Sequence, residues 1–270
     1  MTHPHPSQLQ LAGMALANGV LIIGPTHWSA AIRTPDGSLA TATRRRWHLD
    51  AFTRIPALRG PARLAEMMLV LPAVRRALPA ARLPMESPRI ATVALAGSVL
   101  HRLTRSRSTS AVLVESLAPV AVLTAFLATL RTAELAQYHG AEHKVIGGYE
   151  QGIPADQATK EHERCGTHLA VPMTMINTAA TIGLRVLMPR TPQLAAALGA
   201  AIGVTASTEL MRSMQRTSRD TAVTRLVRRA GMYVQSVAST REPTSDQLDV
   251  ASAALRRVLD AEACAGIRDS

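Results

Sequence analysis

The chain reads as mainly α: a multi-pass helical membrane protein with a small N-terminal β-hairpin unit and a C-terminal cytoplasmic helical tail. Three observations predict this. Residues 111–130 and 169–188 are predominantly apolar stretches of about one bilayer thickness. Thr34-Pro35-Asp36-Gly37 is a strong turn signal between two strand-like segments. Arginine is concentrated at both ends: residues 1–89 hold eleven against four acids, and ten more follow Glu209, so both termini are expected in the cytoplasm.

Taken in order, the chain divides into five stretches. Residues 1–54 form the β-rich unit, in which the apolar run 20–23 ends at Gly24-Pro25 and a hairpin pairs 27–33 with 38–44. No signal peptide is expected, because no basic segment followed by an apolar run opens the sequence. Residues 55–133 are a helical segment interrupted by Pro72 and Pro79, followed by a first membrane hairpin in which 90–100 is too short to span without its neighbours. Residues 134–168 are a polar loop, and 169–208 a second membrane hairpin with Gly199 and Gly203 as a small-xxx-small packing pair. Residues 209–270 are the tail. There the apolar positions Val223, Leu226, Val227, Ala230, Val234 and Val237 recur at helical spacing, and Thr244 with Gln247 makes a capping box for a last helix. An alternative reading packs the same apolar stretches into a soluble all-α core. Four spans leave the polar loop on the cytoplasmic side with both basic ends.

Composition narrows the partners. The net charge of +11 suits anionic lipid or the cytoplasmic flanks of membrane helices. Nucleic acid is not expected, since the arginines are dispersed and only seven aromatic residues are present to stack on bases. Two cysteines, Cys165 and Cys264, make no disulfide framework and suit a reducing compartment.

The chemistry gathers in 134–168, which holds four of the nine histidines and both lysines. His139, Glu142 and His143 form H-x-x-E-H. On a helix the two histidines share a face, so both imidazoles reach one divalent ion, zinc by ligand type, while Glu142 lies close enough to take a proton from water. A catalytic site needs a third protein ligand, and Glu150, His162 and Cys165 are the alternatives. Arg164, or a helix dipole, would help hold Cys165 as thiolate. A different mechanism makes Cys165 a nucleophile with His162 as its base. Gly147-Gly148 is expected to end the helix, Tyr138 and Tyr149 to anchor at an interface, and His168 to be interfacial.

Tyr-His-Gly-Ala-Glu-His-Lys at 138–144, Tyr149-Glu150, His-x-x-Arg-Cys-Gly-Thr at 162–167 and Thr-Arg-Glu-Pro-x-x-Asp-Gln-Leu-x-Val-Ala at 240–251 resemble the YqhQ-like family, domain-of-unknown-function family 1385. The motif from Gly13 to Pro25, the Pro-Asp-Gly turn and Ile-Pro-Ala-Leu-Arg-Gly at 55–60 extend the resemblance over nearly the whole chain. The resemblance implies a multi-pass protein of the bacterial inner membrane and a metal-dependent enzyme without an established substrate. The polar residues it carries over are His139, Glu142, His143, Lys144, Glu150, His162, Arg164 and Cys165. The chain departs from the family's usual residues at Met14 (glutamine), Asn18 (glutamate) and Ile23 (arginine). A glutamate serving the site at position 18 would make this protein altered or inactive. Two functions are therefore expected in parallel: a metal-dependent hydrolase at the cytoplasmic membrane interface, or a non-enzymatic metal-binding or scaffold protein that recruits a cytoplasmic partner.

Overall fold

Four short strands form an antiparallel meander in the order β1 (Ala12–Leu16), β2 (Gly19–Ile23), β3 (His27–Arg33) and β4 (Leu39–Arg45). The computed structural model describes residues 8–86, 88–103, 133–216 and 221–268, with short pieces at 123–125 and 127–128. The expected span at 111–130 falls outside them except for those pieces. The 27–33/38–44 hairpin forms as read, with Gly37 at φ 81° in its turn. It is only half of the sheet. The stretch before it supplies two further strands, Ala12 pairing with Ile23 and Leu16 with Gly19.

Alternation along these strands sends side chains to two buried faces. Ala15, Val20, Ile22 and Ala31 face one core, and Leu16, Leu21, Ile23, Trp28, Ala30 and Ile32 face the other. Burial on both sides is why β2 is apolar at every position after its glycine. β4 stays an edge strand, its end blunted by Arg44 and Arg45, which are exposed.

Helix α1 (Pro56–Ala77) covers the second face with Val70, Leu71 and Val74. It runs unbroken through Pro61 and Pro72, contrary to the expected interruption at Pro72, and ends ahead of Pro79. Helix α2 (Pro88–Leu103) follows. Buried Glu66 of α1 accepts from the guanidinium of Arg46 (2.9 Å) and from Leu49 N (2.7 Å), latching the end of β4 to the helix.

The first face is covered by α3 (Ala133–Gln151), through Tyr138, Ala141, Val145 and Ile146, and by the last helix, α7 (Ser245–Arg268), through Val250, Ala251, Ala254 and Val258. The two ends of the chain thus share one core. Each fully buried Val, Leu or Ile here contributes about 1.5–3 kcal/mol. Glu262 of α7 reinforces the contact by accepting from Thr26 N (2.7 Å), His27 N (2.7 Å) and the Thr26 hydroxyl (2.8 Å) at the β2–β3 turn. The capping box forms as read: Thr244 N donates to Gln247 Oε1 (2.9 Å) and Gln247 N to Thr244 Oγ1 (3.3 Å).

Helices α4 (Ala170–Leu187) and α5 (Pro192–Arg216) form a hairpin. Gly199 and Gly203 let it close. A Cβ on Gly199 would lie 2.1 Å from Thr181 Oγ1, and one on Gly203 would lie 2.9 Å from Asn177 Cβ. Two stretches here, Gly166–Leu187 and Pro192–Met214, are long and apolar enough to cross a membrane, and little of either is buried. The hairpin meets α1 where Gly60 packs on Thr208 and Arg59 pairs with Glu209 at 3.0 Å. Helix α6 (Ala222–Val234) continues into a π-turn at Gln235–Ser239.

Asn18 has a structural post. Its amide donates to Arg33 O (2.9 Å) and Ala80 O (3.0 Å), and its Oδ1 accepts from Arg82 N (2.8 Å). Asn18→Ala strands these backbone groups. A loss of about 2–3 kcal/mol is expected, read as a lower denaturant midpoint at unchanged slope.

Candidate metal and catalytic site

The stretch 134–168 is not a loop throughout. Its first half is α3, which runs through Gly147 and Gly148 and ends at Gly152 (φ 67°), four residues beyond the expected stop. The continuation of the helix matters for the site. It brings Glu150 onto the same element as His139, Glu142 and His143, while residues 152–165 fold back to deliver His162, Arg164 and Cys165.

His139 and His143 lie one turn apart with ring centroids 4.3 Å apart. Cys165 completes a group with them: the three potential ligand atoms lie within 4.8 Å of one another. The sulfur of Cys165 is 3.4 Å from His139 Nε2. Ligand atoms around a tetrahedral zinc, with N bonds of about 2.0–2.1 Å and an S bond of about 2.3 Å, stand roughly 3.3–3.8 Å apart, so this contact has the right span.

Each histidine is oriented by a backbone carbonyl. His139 Nδ1 is 2.8 Å from Ser239 O and His143 Nδ1 is 2.6 Å from Lys160 O. A carbonyl only accepts, so both Nδ1 atoms carry the proton and both Nε2 atoms keep a lone pair. Glu142 completes the group, with Oε2 3.8 Å from His139 Nε2. Its side chain presses on β1, where a Cβ on Gly13 would lie 2.2 Å from Oε1.

The alternatives Glu150 and His162 are otherwise engaged. His162 Nε2 is 3.0 Å from Glu150 Oε2, and Arg164 is ion-paired with the other oxygen of Glu150. His162 still stands beside the group, its ring centroid 5.7 Å from that of His143. Arg164 therefore does not serve the thiol as expected. Burial, with a smaller contribution from the Glu142 charge, pushes the Cys165 thiol up to about 12, despite hydrogen bonds from Thr167. That also argues against Cys165 as a free nucleophile, which needs the thiolate. Burial raises the Glu142 carboxyl against the opposing pull of His139 and His162. Burial, then His139, holds the His143 imidazole well below its usual range, and burial lowers His162 as well.

These groups line a cavity of about 390 Å³. Its lining combines the polar His139, Glu142, His143, His162, Arg164 and Cys165 with the apolar Leu11, Met14, Met67, Leu135 and Ile146. Asn18 is not among the lining residues, so the departure at position 18 belongs to the fold rather than to this cavity, whereas Met14 stands in its wall.

Lys144 points away from the cavity group. Its ammonium pairs with Glu242 at 2.5 Å, joining α3 to the Thr240-Arg241-Glu242-Pro243 segment. At the same crossing, a Cβ on Gly140 would lie 2.1 Å from Arg241 O, and Arg241 N donates to Ala136 O (2.9 Å). Tyr138, Tyr149 and His168, expected at an interface, are instead engaged within the protein. Tyr138 is buried in the core, the Tyr149 hydroxyl accepts from Leu9 N (3.1 Å), and His168 is 1% exposed with Nδ1 2.9 Å from Gln235 Nε2. Gln235 also accepts from His162 N (2.8 Å) and donates to His162 O (3.1 Å). Sequence reasoning missed Gln235, Gly13 and the carbonyls of Ser239 and Lys160. Backbone acceptors carry no residue signature.

Comparison with known proteins agrees with the resemblance. The chain is 27% identical to the uncharacterized protein YqhQ of Bacillus subtilis (strain 168) over 304 aligned positions, covering 93% of this chain and 92% of that one. No solved structure matches it significantly. Residues 67–261 match the model of a protein of unknown function, DUF1385, and the chain belongs to that family.

Proposed function

We propose that this is a metal-dependent hydrolase of the bacterial inner membrane, with His139, His143 and Cys165 as ligands of a divalent ion, zinc by donor set, and Glu142 as general base. The observation that carries the reading is the convergence of those three donor atoms within 4.8 Å beside the Glu142 carboxylate. The fit to a metal rests on the donor set. Two imidazoles have Nδ1 committed to carbonyls and Nε2 free to bind, and a buried thiol has no cation of its own. An ion held there supplies Lewis acidity toward a carbonyl or phosphoryl oxygen and toward water.

The chain's own residues do the rest. Glu142 Oε2 receives the proton of a water in the cavity and returns it to the leaving group, and burial raises its basicity for that task. Glu150 and Arg164 fix His162 at the cavity wall, where its neutral ring orients substrate. The apolar lining residues Leu11, Met14, Met67, Leu135 and Ile146 limit the water that reaches the site. A second reading is a metal-binding scaffold without turnover. It is favoured by the closeness of Glu142 to His139, because a carboxylate as fourth ligand would close the coordination.

The hairpin supports the membrane location in this proposal. Its two ends, near Gly166 and Arg216, lie on one side with the site, and the basic termini favour the cytoplasm for that side. A multi-pass topology, as read from the sequence, is part of this proposal.

Metal analysis of purified protein tests the site. His143→Ala is expected to lower metal affinity by at least about 100-fold, since it removes a ligand outright. Glu142→Gln is expected to keep the metal and to lose about 10²–10⁴-fold in turnover. Loss of metal in Glu142→Gln favours the scaffold reading, and equal metal content in wild type and His143→Ala removes both.

Metal affinity also depends on pH, with a definite sign. The Cys165 thiol titrates near 12 without metal, so binding releases its proton at neutral pH, whereas His143 is already neutral because its range is depressed. Affinity should therefore rise about tenfold per pH unit between pH 6 and 8, measured by competition with a chromogenic chelator. A flat profile would exclude Cys165 as a ligand.

A further inference from the structure

Helix α6 is strongly amphipathic, yet its apolar stripe is not where the core is. The apolar positions Val223, Leu226, Val227, Ala230, Val234 and Val237 recur at helical spacing, which marks a stripe without saying which way it points. Gly231 and Gln235 face the protein: a Cβ on Gly231 would lie 2.1 Å from the His168 ring, and Gln235 is fully buried against His162 and His168. The opposite face carries Val223 (59% exposed), Leu226 (69%), Tyr233 (68%) and Val237 (43%). Arg225 and Arg229, both exposed, run along the edge of that stripe.

We propose that this face of α6 is a binding surface for anionic phospholipid: the apolar stripe enters the headgroup region of a bilayer, with Arg225 and Arg229 at the level of the phosphates. Three independent features select lipid over protein. The helix has an apolar stripe, a basic flank and an amphipathic tyrosine, the pattern of a helix lying in a membrane interface. It also packs at the base of the α4/α5 hairpin, against the turn at Gly166–Leu169 and against α4, so it lies beside the two little-buried candidate spans. Finally, Met173, Met175, Leu198 and Ile202 of that hairpin are themselves exposed, continuing the apolar surface beyond one helix. A bilayer covers such a surface without requiring shape complementarity, and arginines at its rim match anionic headgroups.

The surface is wired to the cavity. Gln235 at the end of α6 holds the backbone of His162, and Ser239, which closes the π-turn, holds His139. Seating α6 in the interface therefore bears on the residues that hold His162 and His139 at the cavity. The inference rests on the bilayer reading of the hairpin, and the experiment separates the two.

The full chain is reconstituted into vesicles of phosphatidylcholine with and without phosphatidylglycerol, the acyl chains brominated near the headgroup. Trp47, which is 80% exposed, is replaced by Phe to reduce background. Tyr233→Trp then reports on α6 and, in a second protein, Leu198→Trp reports on α5. Both reporters are expected to be quenched by the brominated lipid, Tyr233→Trp more strongly with phosphatidylglycerol. Adding Arg229→Gln is expected to lower its inserted-to-exposed ratio about fivefold, the effect of one arginine at an anionic surface. Quenching of Leu198→Trp but not of Tyr233→Trp overturns the α6 assignment alone. Failure of both overturns the bilayer reading with it. Quenching of Tyr233→Trp indifferent to phosphatidylglycerol overturns the anionic selection, and shielding from acrylamide without lipid quenching shows that protein covers this face and overturns the assignment to lipid.

Discussion

The close approach of α3 to two stretches of backbone is the constraint on which the rest depends. On one side the Glu142 carboxylate lies over Gly13 of β1, and on the other Gly140 meets the carbonyl of Arg241. Neither contact leaves room for a Cβ. Together they fix the helix's distance from the sheet and its position along the 240–243 segment. They therefore fix where His139, Glu142 and His143 point, because residues one turn apart on a helix move as a unit. The ion pair of buried Lys144 with Glu242 acts at the same crossing. Burying an ammonium is costly and the pair adds little net stability. Its clearer effect is to specify register between α3 and the segment that follows the π-turn.

That arrangement also accounts for the order of the chain. The site helix is central in sequence, but its supports come from both ends: β1 near the start, and Ser239, Arg241 and Glu242 near the finish. The tail read as a peripheral helical unit contributes α7 to the core beneath α3. Removing the tail would uncover that core and take away the carbonyl that sets the His139 tautomer.

Much of this was legible in the sequence, for reasons that can be named. The β3–β4 turn was visible because Asp36 and Gly37 have specific backbone uses, and the capping box because Thr244 and Gln247 exchange bonds locally. H-x-x-E-H marked one helix face because its spacing is that of a turn. What escaped depended on distance along the chain. That Cys165, rather than Glu150 or His162, lies with His139 and His143 turns on how 152–165 folds back, and spacing alone cannot decide it. The role of Asn18 was not legible because its partners are backbone groups of Arg33, Ala80 and Arg82, which look the same in any sequence. Pro72 was misread as a break since a proline removes one helical hydrogen bond but not the packing of Val70, Leu71 and Val74 that holds α1 together. The α6 stripe was visible as a periodicity, but periodicity gives no direction. Only Gly231 against His168 shows which side of the helix meets the protein.

The two histidine ligand candidates illustrate how local chemistry and global architecture meet. An imidazole with an uncommitted Nδ1 populates two tautomers and more than one ring orientation, which weakens any arrangement that requires Nε2 as the donor. Here one carbonyl comes from Lys160, in the fold-back after α3, and the other from Ser239, at the end of α6. The fold-back is itself held by Gln235 through His162, so both carbonyls are positioned by the same short stretch, 235–239. A π-turn there, rather than a further turn of α-helix, presents the Ser239 carbonyl toward α3 and lets Thr240 N return to Gln235 O (3.0 Å). The tautomers of both histidines thus depend on five residues that bind nothing themselves, and those residues follow directly from the helix whose outer face is apolar and basic.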